Sequence, residues 1–105
     1  MLTACSSPNK IPDDIIGIDR MKLIIWDMTR AGKLAQERYR KDSVHMKIIT
    51  TEAFQQVFDL YHITKDDFYK SYQYYEEHPD KNKILLDSVS AYALRQRQQL
   101  YKYKQ

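Results

Sequence analysis

The stretch Phe54-Gln55-Gln56-Val57-Phe58-Asp59-Leu60-Tyr61-His62-Ile63-Thr64-Lys65-Asp66-Asp67-Phe68 decides the fold. Phe54, Val57, Phe58 and Tyr61 stand at i, i+3, i+4 and i+7. A helix turns once in 3.6 residues, so this spacing lines the four side chains along one face. Thr50 or Thr51 is expected to cap that helix. Thr64-Lys65-Asp66-Asp67 then reads as a fresh start. The threonine hydroxyl can accept from the amide three residues on, with an acid at that third position, close to a capping box. One helix therefore ends and another begins within a few residues, which favours packing between consecutive helices.

Toward the C-terminus, Phe68, Tyr72 and Tyr75 line the third helix, and His78-Pro79 marks its end, because the residue before proline avoids the helical region. Pro79 suits the first position of a last helix of about 25 residues. Ile84, Leu85, Val89, Tyr92, Leu100 and Tyr103 form its apolar side. Toward the N-terminus, Lys41 to Ile49 breaks the helical period and is expected as an exposed loop, with a short strand within Met46 to Ile49 as the alternative. Upstream, Asp19 is expected to cap a first long helix reaching about Arg40. Met21, Ile24, Ile25, Met28, Ala31 and Ala35 are its buried face. Trp26 falls at the border of that face. Gly32 is expected to let a partner helix approach closely. Pro12 opens a short turn that Gly17 ends, with Asp13 and Asp14 near its positive end. The fold class expected is all-α, a small bundle of about four helices following a flexible N-terminal tether.

Composition agrees with this reading. The chain has 105 residues, enough for one small domain, with only two glycines and three prolines. Its net charge of +3 is too weak to imply nucleic acid by itself. No run approaches the roughly 18 apolar residues of a membrane span. A single cysteine excludes an intrachain disulfide framework and a multi-cysteine zinc site. Nine tyrosines are an excess suited to core edges and interfaces.

The residues carry no set that would perform catalysis. His45, His62 and His78 share no metal-ligand spacing. Asp66-Asp67 and Glu76-Glu77 are adjacent acids, and adjacent residues on a helix do not face each other, so neither forms a dyad. No enzyme activity, cofactor, metal or small-molecule substrate is expected. After Asp87 the acids stop, while Arg95, Arg97, Lys102 and Lys104 accumulate beside Tyr92, Tyr101 and Tyr103. Such a segment complements a helix C-terminus first, and anionic lipid head groups second. A cytosolic nucleic-acid-binding domain is the alternative that this basic end would serve.

Leu2-Thr3-Ala4-Cys5 has the shape of a bacterial lipobox: a branched apolar residue, two small residues, then cysteine. On this reading residues 1–4 are the remnant of a lipoprotein signal peptide, and Cys5 is the lipidated first residue. Residues 5–12 are a polar, proline-bearing tether, and residues 13–105 form a single helical domain. Acyl chains on Cys5 would hold the domain at a membrane in the cell envelope.

Several of these residues also carry a resemblance. Tyr61-His62-Ile63-Thr64, Phe68, Ser71-Tyr72-Gln73-Tyr74-Tyr75, Pro79, Ile84 and Asp87-Ser88-Val89 resemble a pattern of short Bacteroidota lipoproteins, domain of unknown function number 4296. Ile11-Pro12, Met21-Lys22-Leu23-Ile24 and Asp27-Met28 fit the same pattern. The family brings no established activity. It implies an envelope address, and with no acidic cluster after Cys5 the expected place is the periplasmic face of the outer membrane. Asp42-Ser43-Val44 and Asp87-Ser88-Val89 resemble the acceptor of periplasmic O-glycosylation in such bacteria, with Ser43 the credible site. Tyr72, Tyr74, Tyr75 and Tyr92 are the candidate partner-binding residues. The function expected is a non-catalytic accessory or assembly subunit held against an envelope protein partner. A free-standing periplasmic binding or chaperone-like module is the alternative, and an apolar groove between the second and third helices would favour it.

Overall fold

A computed structural model describes residues 10–104. Among them are four helices and no strand: α1 (Ile18–Arg38), α2 (Ser43–Leu60), α3 (Lys65–Glu77) and α4 (Pro79–Lys104). The fold is all-α, as the periodicity predicts. Cys5 and the lipobox lie outside the described residues, as do the side chains of Tyr103 and Lys104.

Local chemistry explains most boundaries. Before α1, the Ile15 amide donates to the Pro12 carbonyl, closing the expected turn. At α3 the capping box is complete: the Asp67 amide donates to Thr64 Oγ1 at 3.0 Å, and the Thr64 amide donates to the Asp67 carboxylate at 2.9 Å. The end of α2 is closed by a second device. His62 takes a left-handed conformation at φ 57°, its amide donates to the Asp59 carbonyl, and the Ile63 amide donates to the Phe58 carbonyl. This is a Schellman closure, with Ile63 and Phe58 in apolar company. Pro79 is the first residue of α4, and His78 alone separates it from α3.

Three boundaries differ from the sequence reading. Lys41 to Ile49 is mostly helix, since α2 begins at Ser43 and not after Thr50 or Thr51. The cap is Asp42, whose carboxylate accepts from the His45 amide at 3.0 Å. β-branched residues lower helix propensity here, but Met46, Ile49, Ala53 and Phe54 are partly buried, and that tertiary burial outweighs the propensity. Asp19 is not the cap of α1 either. Gly17 holds that position without a side-chain bond, and Asp19 lies inside the first turn. The helix closes at Arg38, with Tyr39 as its cap.

The helices form a ring of neighbours, α1 on α2 and α4, and α3 on α2 and α4. Contacts along their lengths give the directions. Arg20 donates to the Tyr61 carbonyl, Tyr61 Oη donates to the Asp27 carboxylate at 2.6 Å, and Gly32 faces the Phe54 ring, so α1 and α2 are antiparallel. Ile18 shares a depression with Ile84 and Ser88, and Trp26 meets Tyr92 edge-on at 6.2 Å, so α1 and α4 run parallel. A helix rises 1.5 Å per residue, so the 13 residues of α3 reach about half as far as the 26 of α4. The bundle is consequently four helices thick at one end and three at the other.

The core sits at the thick end. Met21, Ile24, Phe58, Phe68, Tyr75 and Leu85 are each 4% exposed or less. Ser71, wholly buried, is the polar residue among them. The Ile16 amide donates to Ser71 Oγ at 2.9 Å, and Tyr75 Oη donates to the Ile16 carbonyl at 2.8 Å. Two α3 side chains thus satisfy both backbone polar groups of one buried residue and pin the N-terminal turn to the bundle. The exposed Lys70–Asp14 pair, 2.7 Å apart, joins the same two segments. At the thin end Ala35 is the one buried residue among those described. The shape follows: the radius of gyration is 16.3 Å and the extents are 56 × 37 × 23 Å, against about 13 Å for a compact chain near this length.

Candidate interaction surface

The tyrosines expected to bind a partner have different fates. Tyr75 is 1% exposed and bonded to Ile16, so the core removes it from any surface. Burial pushes its phenol up to about 12, with the neighbouring Tyr74 adding to the effect. Tyr74 is half-buried and stacks on His78 at 4.0 Å. Tyr92 is half-buried between Trp26 and the Lys22 ammonium. Tyr72 is 45% exposed and is the one of the four that offers a face to solvent. The structure therefore separates these residues: the three on α3 spread from surface to core, and Tyr92 belongs to the α1–α4 contact. The sequence showed Tyr75 on the apolar stripe; its buried bond to Ile16 needed the tertiary fold.

Ser43 is exposed, but it is the first residue of α2 and not part of a loop. Its neighbour Asp42 is engaged by the His45 amide and ring, which hold its carboxyl below the ordinary carboxylate range. Ser88 is half-buried within α4.

The ionisable groups with shifted affinities are accounted for by helix ends, ion pairs and burial. Asp67 is lowered by the Thr64 amide and hydroxyl that complete the capping box. Asp14 is lowered by the Lys70 ammonium. Asp80 is lowered chiefly by the Lys81 amide. Tyr61 is pushed up to about 12, first by burial and then by its bond to the Asp27 carboxylate. The three histidines stand at three different helix ends: His45 in the first turn of α2, His62 after its last, and His78 between α3 and α4.

Charge is distributed along the long axis, a feature not legible one segment at a time. Residues 29–52 and 91–104 contain ten of the seventeen Lys and Arg and three of the fourteen Asp and Glu, a net of +7. Residues 10–28 and 53–90 hold the other seven cations and eleven acids, a net of −4. Because α1 and α4 are parallel and α2 returns along α1, the first group gathers at the thin end and the second at the thick end. The thin end is thus a basic pole. It also exposes Leu34, Val44, Ile48, Leu94, Leu100 and Tyr101, each at least 50% open to solvent. Apolar side chains of this size left bare together mark a contact surface. The sequence signal was the end of the acids at Asp87; the share contributed by α1 and α2 needed the packing.

The depression between α2 and α3, lined by Phe54, Phe58 and Tyr69 among others, is about 100 Å³, well below the roughly 300 Å³ at which ligand sites begin. No helix among the described residues is long and apolar enough to cross a membrane. Comparison with curated proteins finds no match, and comparison with solved structures finds none. The model of one family, Domain of unknown function (DUF4296), matches residues 12–99, from the N-terminal turn through most of α4. With the match covering most of its length, the chain belongs to the DUF4296 family.

Proposed function

We propose that this chain is a lipid-anchored protein of the bacterial cell envelope that acts as a non-catalytic accessory or assembly subunit. The observation that carries the reading is Leu2-Thr3-Ala4-Cys5, a lipobox followed within a few residues by the start of a folded domain. Acyl chains on Cys5 would supply the anchor, and a Bacteroidota outer membrane, periplasmic face, is the location consistent with it. The bare apolar residues of the basic pole, with Tyr72 on the side of α3, supply surface for an envelope protein partner. The non-catalytic part is supported by the ionisable groups, whose shifts are explained by caps, ion pairs and core burial.

The test has two arms. Metabolic labelling with an alkyne fatty acid in the native host should mark the wild-type chain and leave Cys5→Ala unlabelled; label on both, or on neither, removes the anchor. In-cell crosslinking followed by gentle detergent purification should recover one stoichiometric envelope protein. Recovery of many unrelated clients would instead favour the free-standing chaperone-like module. The intact mass of the labelled protein also tests Ser43, since a mass equal to acylated polypeptide alone excludes a glycan there.

A further inference from the structure

We infer that the basic pole is a docking surface for an anionic lipid bilayer. The inference rests on residues 29–52 and 91–104 and not on Cys5, so it stands or falls separately from the anchor.

Charge supplies the first argument. Arg30, Lys33 and Arg38 on α1, with Arg40 and Lys41 just after it, are exposed. Lys47 on α2 and Arg95, Arg97 and Lys102 on α4 are exposed as well. Among the described residues, none of these nine forms an ion pair. Arg30 lies over the Trp26 ring and Arg95 over the Tyr92 ring, but no carboxylate neutralises any of the nine, which packing gathers from three helices to one end. Opposed to them, the thick end carries a net of −4, so an anionic surface attracts one pole and repels the other.

The apolar residues supply the second argument and select the partner. Leu34 at 66%, Val44 at 69% and Leu100 at 63% exposure stand among those cations. Aliphatic side chains beside Arg and Lys suit the boundary between head groups and acyl chains, where the cation takes the phosphate and the hydrocarbon enters below it. A nucleic-acid surface would instead present aromatic faces for bases to stack on. Among the described residues, Tyr101 is the one large aromatic left bare at this pole, and Tyr39 already stacks on His45 at 5.8 Å.

The geometry has a consequence for an anchored chain. Ile11 lies with Gly17, Ile18 and Ile84, so the tether joins the acidic pole. Five residues from Cys5 to Lys10 reach about 18 Å at most. An acylated chain therefore brings its basic pole to the same bilayer only with the 56 Å axis laid along the surface.

The test uses the full chain with Cys5→Ser, so that no acyl group contributes. Co-sedimentation is measured with vesicles of phosphatidylcholine and phosphatidylglycerol in equal amounts, and with phosphatidylcholine alone. Binding to the first and not the second, weakened by added salt, is expected. R95E/R97E/K102E, on an exposed helix surface, should lower the partition about 100-fold or more. K70E/K83E, two charge reversals at the other pole, should change it less than threefold by the same local reasoning. Circular dichroism confirms that each variant is folded. Equal binding to both vesicle types, no binding to either, or an equal loss in the two variants would overturn the inference. Stronger binding to a DNA oligonucleotide than to the anionic vesicles would also overturn it.

Discussion

Removing one oxygen tests the account of how the N-terminal turn is held. Tyr75→Phe keeps the ring in the core and deletes only the hydroxyl that donates to the Ile16 carbonyl at 2.8 Å. Tyr75 is 1% exposed and Ile16 9%, so little water can replace the lost donor. A buried carbonyl left without a partner costs about 1–3 kcal/mol. For a domain near this length, each kcal/mol lowers Tm by roughly 4–8 °C. Urea unfolding followed by Trp26 fluorescence and by circular dichroism would measure it, with the m-value expected unchanged. Tyr72→Phe, at a residue 45% exposed, is the control and should stay within about 0.5 kcal/mol of wild type.

Alkali provides an independent readout of the same group. The Tyr75 and Tyr61 phenols are pushed up to about 12 in the folded chain, above the ordinary value of 10. Above pH 10 the unfolded chain therefore loses these protons before the folded one. The stability the neutral phenols contribute is complete below pH 10 and is lost as pH rises toward 12. Each phenol adds a slope of at most about 1.4 kcal/mol per pH unit in that window. Tyr75→Phe should remove roughly half of the alkaline slope. A variant as stable as wild type, with the same alkaline slope, would refute the reasoning.

Two further substitutions separate local from tertiary effects. Thr64→Ala removes the hydroxyl of the capping box and should cost about 1 kcal/mol, read as a lower urea midpoint with unchanged helix content. Gly32→Ala should stabilise by up to about 1 kcal/mol, because an added methyl would meet the Phe54 ring at 3.8 Å, an ordinary contact, and alanine is the better helix former. Destabilisation by Gly32→Ala would show that α1 and α2 need the close approach first expected of that glycine.

Periodicity and end signals determined the elements of this protein from its sequence. A helical stripe is written in consecutive residues, and so is a cap such as Thr64 with Asp67 three positions on. Hence α3, the start of α4 at Pro79 and the buried face of α1 were legible. Residues 43–49 were not, because β-branched side chains speak against helix locally while burial against α1 speaks for it. Burial is a property of two segments at once. The same limit applies to Tyr75, whose bond to Ile16 joins residues 59 positions apart. It applies most to the two poles. A net charge of +3 conceals them, since Coulomb interactions depend on distance in space, and only parallel packing of α1 and α4 sums ten cations at one end. The tertiary structure also decided that the buried core gathers at the end where α3 packs, because a fourth helix there covers side chains that three leave open.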